Sequence, residues 1–151
     1  MAKFEFQMEA VLQYRRLIEG REQVLLDGLI RERDYWAWQD RQLEEASQNA
    51  RRSAPDYARD GRYPMGGQDA FTARAARQQK QVAQRQAECL QRVALQQEKL
   101  AEARRSVKLL EKLREKAYEA WQREQNRQLE ELAADSYQAL RSRQQRQERT
   151  G

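Results

Sequence analysis

Histidine is absent from this sequence, and cysteine occurs only once, at Cys89. A single cysteine excludes an internal disulfide and, without histidine, leaves no ligand set for an ordinary zinc site. The chain also lacks the GxxxxGK[ST] loop that binds nucleotide phosphates. Its many carboxylates are expected to face water rather than a catalytic pocket. We therefore predict a protein that is not an enzyme and that holds no metal or cofactor.

Long apolar runs are missing as well. No stretch approaches the roughly 18 consecutive apolar residues that a membrane-spanning helix requires. The N-terminal stretch MAKFEFQMEA lacks the apolar core of a signal peptide, and a lone cysteine fits a reducing compartment. We therefore expect a cytoplasmic protein with no direct membrane insertion.

Proline and glycine are scarce, and they cluster. Both prolines and three of the six glycines lie in SAPDYARDGRYPMGG, residues 53–67, and such a cluster marks a loop. On either side the chain is rich in Ala, Glu, Lys, Leu, Arg and Gln, which is typical of long helices and coiled coils. Because 35% of the residues are charged and only 39% are hydrophobic, such helices have enough apolar side chains for a narrow seam only.

These features predict a single all-α domain over residues 1–151, in which two long helices form an antiparallel coiled-coil hairpin. The predicted elements are a first helix at about residues 5–52, a loop at about 53–67 and a second helix at about 68–146. At 1.5 Å per residue, the two helices would be roughly 70 Å and roughly 115 Å long. The second helix is therefore expected to overhang at its C-terminal end by about 30 residues, with Glu5 facing Ala117.

The apolar residues of the first helix follow a heptad pattern. Nine of thirteen tested seam positions are apolar: Met8, Val11, Ile18, Leu25, Leu29, Trp36, Leu43, Ala46 and Ala50. The seam of the second helix slips between seven-residue and eleven-residue spacings, which predicts an irregularly supercoiled pair. Its members are Phe71, Ala75, Val82, Leu90, Val93, Leu100, Val107, Leu110, Trp121, Leu129, Leu132, Ala139 and Leu140. Cys89 is interpreted as a small seam residue rather than a reactive thiol.

The charge pattern leaves several partner classes to compare. A net charge of +5 is compatible with binding to nucleic acid, an anionic membrane or an acidic protein surface. A nucleic-acid-binding coiled coil would concentrate its basic residues on one face. Here acids are interleaved throughout, so we do not expect nucleic acid as the partner. A rod that self-associates through its overhang is a further alternative. The row of Arg104, Lys108, Lys112 and Lys116 is either a solvated helix face or a docking surface.

Two end motifs connect the sequence to a known family. The N-terminal MAKFEFQMEAVLQYRR contains the pattern F-x-F-x-(M/L)-E-x-V-L-x-x-R. The C-terminal LLEKLREKAYEAWQREQNRQLEELA opens with L-E-K-L-(R/K) and closes with L-E-E-L-A. Over nearly its whole length the chain resembles the flagellar export protein FliJ family. The equivalent stalk protein of a virulence type III secretion system is the nearest alternative, with the same fold and mechanism.

The resemblance implies a non-enzymatic component of the flagellar type III export apparatus that serves flagellum biogenesis and motility. FliJ proteins are antiparallel two-helix coiled coils that stand as a stalk in the pore of the hexameric export ATPase. They also contact the cytoplasmic domain of the membrane export gate, and some members handle export chaperones. The implied location is the cytoplasm, with peripheral association with the inner membrane through the export apparatus.

The resemblance also implies two partner-binding regions. The end that holds both termini would contact the ATPase through Arg15, Arg16, Arg21, Lys112, Arg114 and Lys116. The loop end would contact the gate through Leu43, Ala46, Tyr57, Tyr63, Phe71 and Ala75. Phe71 matches an aromatic residue that family members place just after the loop. Ala46, Asn49 and Gln78 depart from the family, which has larger apolar or aromatic residues there.

Overall fold

The structure is a computed structural model that describes the backbone of residues 2–59 and 65–151 and the side chains of residues 2–53 and 70–151. These residues form two helices, α1 (Glu9–Arg59) and α2 (Met65–Thr150), and no strand. The helices pack against each other, so the predicted all-α fold of two long helices, the second one longer, is confirmed. Neither helix, over the residues described, contains an apolar stretch of the length that a bilayer span requires.

The N-terminal residues are not helical, and α1 begins at Glu9 rather than near residue 5. Phe4 and Phe6 are half-buried while Glu5 and Gln7 are exposed, which is the alternation of an extended chain. The backbone N–H of Glu9 donates to the carbonyl of Phe6 at 3.1 Å and closes the turn that leads into the helix. The predicted start was too early because the F-x-F pattern alternates with period two.

The predicted loop at residues 53–67 is too long. α1 continues to Arg59, and α2 begins at Met65. Pro55 lies within α1, where it forgoes the one backbone hydrogen bond that would reach the carbonyl of Arg51 but keeps a helical φ. The two glycines at the start of α2 fall in its first turn, where backbone N–H groups lack intrahelical partners in any helix. Helix breakers at these positions therefore interrupt less of the chain than their clustering predicted.

The chain divides into two compact units. The first unit comprises Met1–Arg16 and Arg105–Gly151. Its core is formed by Leu12, which is fully buried, with Val107 and Leu110. The helices run antiparallel here, because Glu9 contacts Arg114 whereas Arg16, later in α1, contacts Glu111, which is earlier in α2. In this unit α2 ends at Thr150, four residues beyond the predicted end, and the Thr150 hydroxyl donates to the carbonyl of Arg146 at 2.9 Å.

The second unit, Leu17–Arg104, has its own core. Four buried residues form it, with three half-buried residues packed against them: Leu26, Cys89, Val93 and Leu100, then Leu29, Ile30 and Trp36. The pairing is again antiparallel, since Glu19 contacts Arg104 while Leu29 contacts Cys89. The interpretation of Cys89 as a seam residue is confirmed, because it is 1% exposed. Its thiol donates to the carbonyl of Leu29 at 3.5 Å, and burial, aided by the charge of Glu32, raises its pKa.

The seam of α1 differs from the predicted one at every second position. Leu12 and Leu26 are buried, whereas Val11 and Leu25, which were predicted to lie in the seam, are 42% and 48% exposed. Each heptad has two core positions. The prediction is correct for the position that Leu29 occupies, and it is displaced by one residue for the other position. The apolar pattern fits both registers because Val11 and Leu12, like Leu25 and Leu26, are adjacent. Packing against α2 selects between them.

The seam of α2 is more regular than predicted. From 75 to 110 its inward-facing positions alternate by four and three residues, as in an ordinary heptad repeat. They are Ala75, Gln79, Val82, Gln86, Cys89, Val93, Gln96, Leu100, Ala103, Val107 and Leu110. The irregular spacing was wrong for this stretch because the spacing was counted without the glutamines and without Cys89, and with Leu90, which is 49% exposed.

Gln96 is the buried polar residue of the seam in the described part of the chain. It is 7% exposed, and its side-chain N–H groups donate to the backbone carbonyl of Glu22 at 3.1 Å and to the Glu22 carboxylate. Among the described residues, no buried side-chain polar atom lacks a hydrogen-bond partner. A shifted register would bury this amide without its partner, at a penalty of about 1–3 kcal/mol. Gln96 therefore helps to specify how the helices of the second unit align.

The register can be tested by comparing two neighbouring leucines. Leu26→Ala removes a buried side chain and is expected to lower the free energy of unfolding by about 2–4 kcal/mol. Leu25→Ala truncates an exposed side chain and should lower it by less than about 1 kcal/mol. Denaturant titration followed by circular dichroism measures both values. Equal losses, or a larger loss for Leu25→Ala, would show that the seam lies elsewhere.

Two glycines inside α1 offer a second test. At Gly20 and Gly28 an added Cβ would meet no heavy atom within 4 Å, so alanine fits without collision. Each Gly→Ala change should raise the free energy of unfolding by about 0.5–1 kcal/mol, because alanine loses less backbone entropy on folding. For a chain of this size, a change of about 1 kcal/mol in the free energy of unfolding shifts the melting temperature by about 2–4 °C. The reverse change at an exposed site, Ala46→Gly, is the matched control and should lower the melting temperature by a similar amount.

Candidate partner-binding surfaces

An aromatic cluster anchors the N-terminus in the first unit. The ring of Phe4 lies 5.2 Å from that of Tyr118 in an edge-to-face contact and 5.8 Å from that of Trp121. Tyr118 and Trp121 stack on each other with a centroid distance of 5.8 Å. Edge-to-face and offset arrangements are the favourable ones for aromatic pairs. The cluster therefore fixes the extended residues before α1 to the surface of α2.

Arg114 joins this cluster to the first turn of α1. Its Nε donates to the Glu9 carboxylate at 3.0 Å, and its guanidinium carbon lies 5.9 Å from the centre of the Phe4 ring, within the range of a cation–π contact. The hydrogen bond from Gln13, followed by the hydrogen bond and charge of Arg114 and the charge of Arg16, lowers the pKa of Glu9. Arg114 is thus engaged within the first unit.

The other predicted basic residues differ in what they contact. Arg16 donates to Glu111 at 3.3 Å. Arg15, Lys112 and Lys116 are exposed and form no ion pair with any residue that the structure describes. These three side chains therefore carry positive charge that is free to meet a partner.

Five of the six predicted ATPase-contacting residues lie in the first unit, and those on α2 do not share one face. Arg21 belongs to the second unit. Lys112 and Lys116 are four residues apart and share one side of α2, whereas Arg114, two residues from each, projects from the other side. Arg114 contributes to internal packing, and Lys112 and Lys116 form the freer basic edge. Sequence reasoning also missed Phe4, which the period-two alternation of its segment could have identified.

The predicted loop-end residues are described only in part. Leu43 and Ala75 are half-buried, while Ala46 and Phe71 are exposed, Phe71 by 52%. Tyr63 and the side chain of Tyr57 lie outside the described residues. A hollow on the same unit has a polar lining: Asp40, Glu44, Ser47, Gln48, Arg51 and Gln79. Of the six candidates, Phe71 offers the largest exposed apolar surface.

A second apolar row, here called the outer stripe, was not found from the sequence. It runs along α1 in the second unit at alternating three- and four-residue steps, and its apolar members are Leu17, Val24, Tyr35 and Trp38. Their exposed fractions range from 49% to 73%. The sequence search tested one seam per helix, so it could not reveal a second row on another face. Such a stripe has the spacing that a partner helix would contact.

The end of α2 forms a third surface, here called the overhang, residues 126–150. Every residue in it is exposed, and it spans about 37 Å at 1.5 Å per residue. Four large apolar residues lie along it, each at least half exposed: Leu129, Leu132, Tyr137 and Leu140. At its start, Arg127 bridges Glu124 at 2.7 Å and Glu131 at 2.6 Å. The expected C-terminal overhang is therefore present.

The described residues contain no cluster of three or more acidic, histidine or cysteine side chains that could hold a metal ion. The basic edge of Lys112 and Lys116, the outer stripe and the overhang are suited to contacts with macromolecules. Comparison with protein family models, with curated proteins and with solved structures finds no match to this chain.

The contacts of Glu9 predict a specific pH dependence. Because the pKa of Glu9 is lowered below its ordinary value of 4.5, its stabilising effect is fully present above that value and is lost as the pH falls through the lowered pKa. Glu9→Gln should therefore melt at a lower temperature than the wild type at neutral pH, and the gap should close as the pH falls below 4.5 and through the lowered pKa of Glu9. Thermal unfolding at a series of pH values measures it. Glu98→Gln, at an exposed glutamate without an ion pair in the described structure, is the control and should leave no such gap.

Proposed function

We propose that this chain is a stalk-like, non-enzymatic component of the flagellar type III protein export apparatus, of the kind that the FliJ family supplies. In this role it binds the hexameric export ATPase and links it to the cytoplasmic domain of the export gate. It works in the cytoplasm and associates with the inner membrane only through that apparatus. ATP hydrolysis belongs to the ATPase, so the stalk needs no nucleotide site of its own.

The overhang is the single observation that carries the proposal. A helix segment of about 37 Å whose residues are all exposed has no function in holding the chain together. Its surface mixes basic, acidic and amide side chains with a few apolar ones, which suits contacts that form and break inside a ring. A stalk also has to be stiff, and the antiparallel pairing of α1 and α2 within each unit provides stiffness.

The first unit supplies the residues for the ATPase contact. Lys112 and Lys116 form its free basic edge, and Arg15 is a further exposed cation. Arg16 and Arg114 are held in ion pairs with Glu111 and Glu9, and we assign them to the shape of this end rather than to the contact itself. Basic residues on the stalk would steer it towards an acidic ring lining and accelerate encounter.

The second unit supplies the surfaces for the remaining partners. Phe71 is half-exposed and lies just after the loop. Ala75 follows it in α2, and Leu43 lies in the part of α1 that precedes the loop. We assign this region to the export gate. The outer stripe, with Leu17, Val24 and Trp38, has the period of a helix-binding surface and is assigned to export chaperones.

The proposal predicts that the protein stimulates ATP hydrolysis by the flagellar export ATPase of the same organism. Lys112→Glu/Lys116→Glu should reduce the stimulation strongly, because it reverses the two free cations on the contact surface and touches no internal ion pair. The rate of phosphate release, with and without the protein at fixed salt, measures it. Low salt should enhance the effect, since exposed charges are screened beyond about 10 Å at 0.1 M.

Lys80→Glu/Lys99→Glu is the matched control, because it makes the same charge change at exposed lysines of the second unit. This control variant should stimulate ATP hydrolysis by the ATPase as strongly as the wild type does. Equal stimulation by both double variants would retain the function and remove the assigned surface. A well-folded wild-type chain that neither binds nor stimulates the ATPase would overturn the proposal.

A further inference from the structure

The overhang carries an apolar face that nothing in the described structure covers. Leu129, Leu132 and Leu140 are 50%, 63% and 59% exposed. Together with Ser136 they are spaced by three, four and four residues, which places them on one side of a helix. A solvated helix end has no need of three leucines in register. The face is therefore built to be covered by something.

The charges of the overhang are segregated along its length. Its first half carries three acidic residues, Glu130, Glu131 and Asp135, and one basic residue, Arg127. Its second half carries four basic residues, Arg141, Arg143, Arg146 and Arg149, and one acidic residue, Glu148. Glu131 is bridged to Arg127. Glu130, Asp135 and the four arginines of the second half form no ion pair with any described residue. Each half is complementary in charge to the other, but the two halves of one straight helix cannot touch.

Glu130 and Arg141 show the complementarity most clearly. They are eleven residues apart, which is just over three helical turns, so they project from nearly the same side of the helix, next to the apolar face. When two identical helices pair antiparallel, the same edge of each helix meets across the interface. A pair centred between Asp135 and Ser136 sets Glu130 of each copy beside Arg141 of the other. In a parallel pair this edge of one copy lies on the opposite side of the interface from the same edge of the other, so neither Glu130 nor Arg141 would meet its complement.

We propose that the overhang is a self-association surface that receives the overhang of a second copy of this chain in antiparallel orientation. Two-fold symmetry then forms the contact between Glu130 and Arg141 twice. The leucines of the two copies cover each other along the apolar faces. Only one surface is needed, since the two partners of a two-fold interface are the same patch.

The composition of the surface also sets the strength of the association. A stable protein interface buries about 800 Å² on each partner, and three leucines with a tyrosine provide only part of that. The remainder comes from the stems of Arg, Gln and Glu side chains. The dimer is therefore expected to dissociate in the range of about 10–100 µM and to weaken with salt. This inference does not rest on the proposed export function, because its observations concern the overhang alone.

Sedimentation velocity of the full-length protein over a concentration series, at low salt, tests the proposal. The wild type should shift from monomer towards dimer as its concentration rises. Glu130→Arg and Arg141→Glu should each raise the dissociation constant about tenfold or more, because each turns two attractive contacts into repulsive ones. Circular dichroism confirms that both variants keep their helix content.

Two restorations distinguish antiparallel self-pairing from general surface attraction. The double variant Glu130→Arg/Arg141→Glu exchanges the charges and should dimerise like the wild type. An equimolar mixture of the two single variants should also regain the dimer, since one overhang is then basic and the other acidic at these positions. Arg149→Glu, which lies outside the central contact, should leave the dissociation constant within about twofold.

The outcomes are decisive for the surface. A wild type that stays monomeric to about 1 mM at low salt would overturn the proposal. So would a dimer whose strength is unchanged by both single reversals, since it would form through another surface such as the outer stripe. Because this readout is mass and not ATPase stimulation, failure here leaves the proposed export function untouched, and the converse also holds.

Discussion

The packing of a single row of side chains from each helix is the interaction on which the rest of this structure depends. In the described part of the chain, seven of the eight buried apolar residues form two small groups: Leu12 with Val107 and Leu110, and Leu26 with Cys89, Val93 and Leu100. Each fully buried side chain contributes about 1.5–3 kcal/mol, so there is little surplus to tolerate a shifted register. Polar contacts across the seam therefore gain importance. The amide of Gln96 on the carbonyl of Glu22 and the ion pairs of Arg16 and Arg114 align helices whose apolar patterns alone permit several alignments.

The same ambiguity explains which parts of the fold could be predicted from the sequence. Proline and glycine clustering correctly separated two long helices, because breakers act locally. It could not locate the helix ends, because the tolerance of Pro55 within α1 depends on the turns that surround it. The heptad pattern identified one of the two core positions in each heptad. Val11 and Leu12 are adjacent apolar residues, as are Leu25 and Leu26, so the sequence fits either register and only packing against α2 selects one. Glutamines in the seam of α2 were invisible to an apolar search.

The candidate surfaces were harder to predict than the fold. Charge identifies residues that can meet a partner, but it does not show which of them are already engaged. Arg114 and Lys116 look equivalent in the sequence, yet Arg114 holds Glu9 and lies near the Phe4 ring, while Lys116 is exposed and unpaired in the described structure. Only packing separates the two. The outer stripe can be recognised only after the seam residues of α1 are known. Its apolar members are then seen to lie outside the cores of the two units.

The period of the apolar residues in α2 distinguishes its paired part from its overhang. From 75 to 110 the inward positions repeat every seven residues, which favours a left-handed supercoil with a partner. Further along, Tyr118, Leu129 and Leu140 are spaced by eleven, as are Trp121 and Leu132, and this period favours a straight or slightly right-handed pair. The slip between sevens and elevens is thus a change between segments rather than irregularity within one. A helix that follows the heptads of α1 would lose contact with the apolar face of the overhang within a few turns. A second overhang has the same eleven-residue period and stays in contact along its whole length, and this match favours self-pairing over pairing with an ordinary coiled-coil helix.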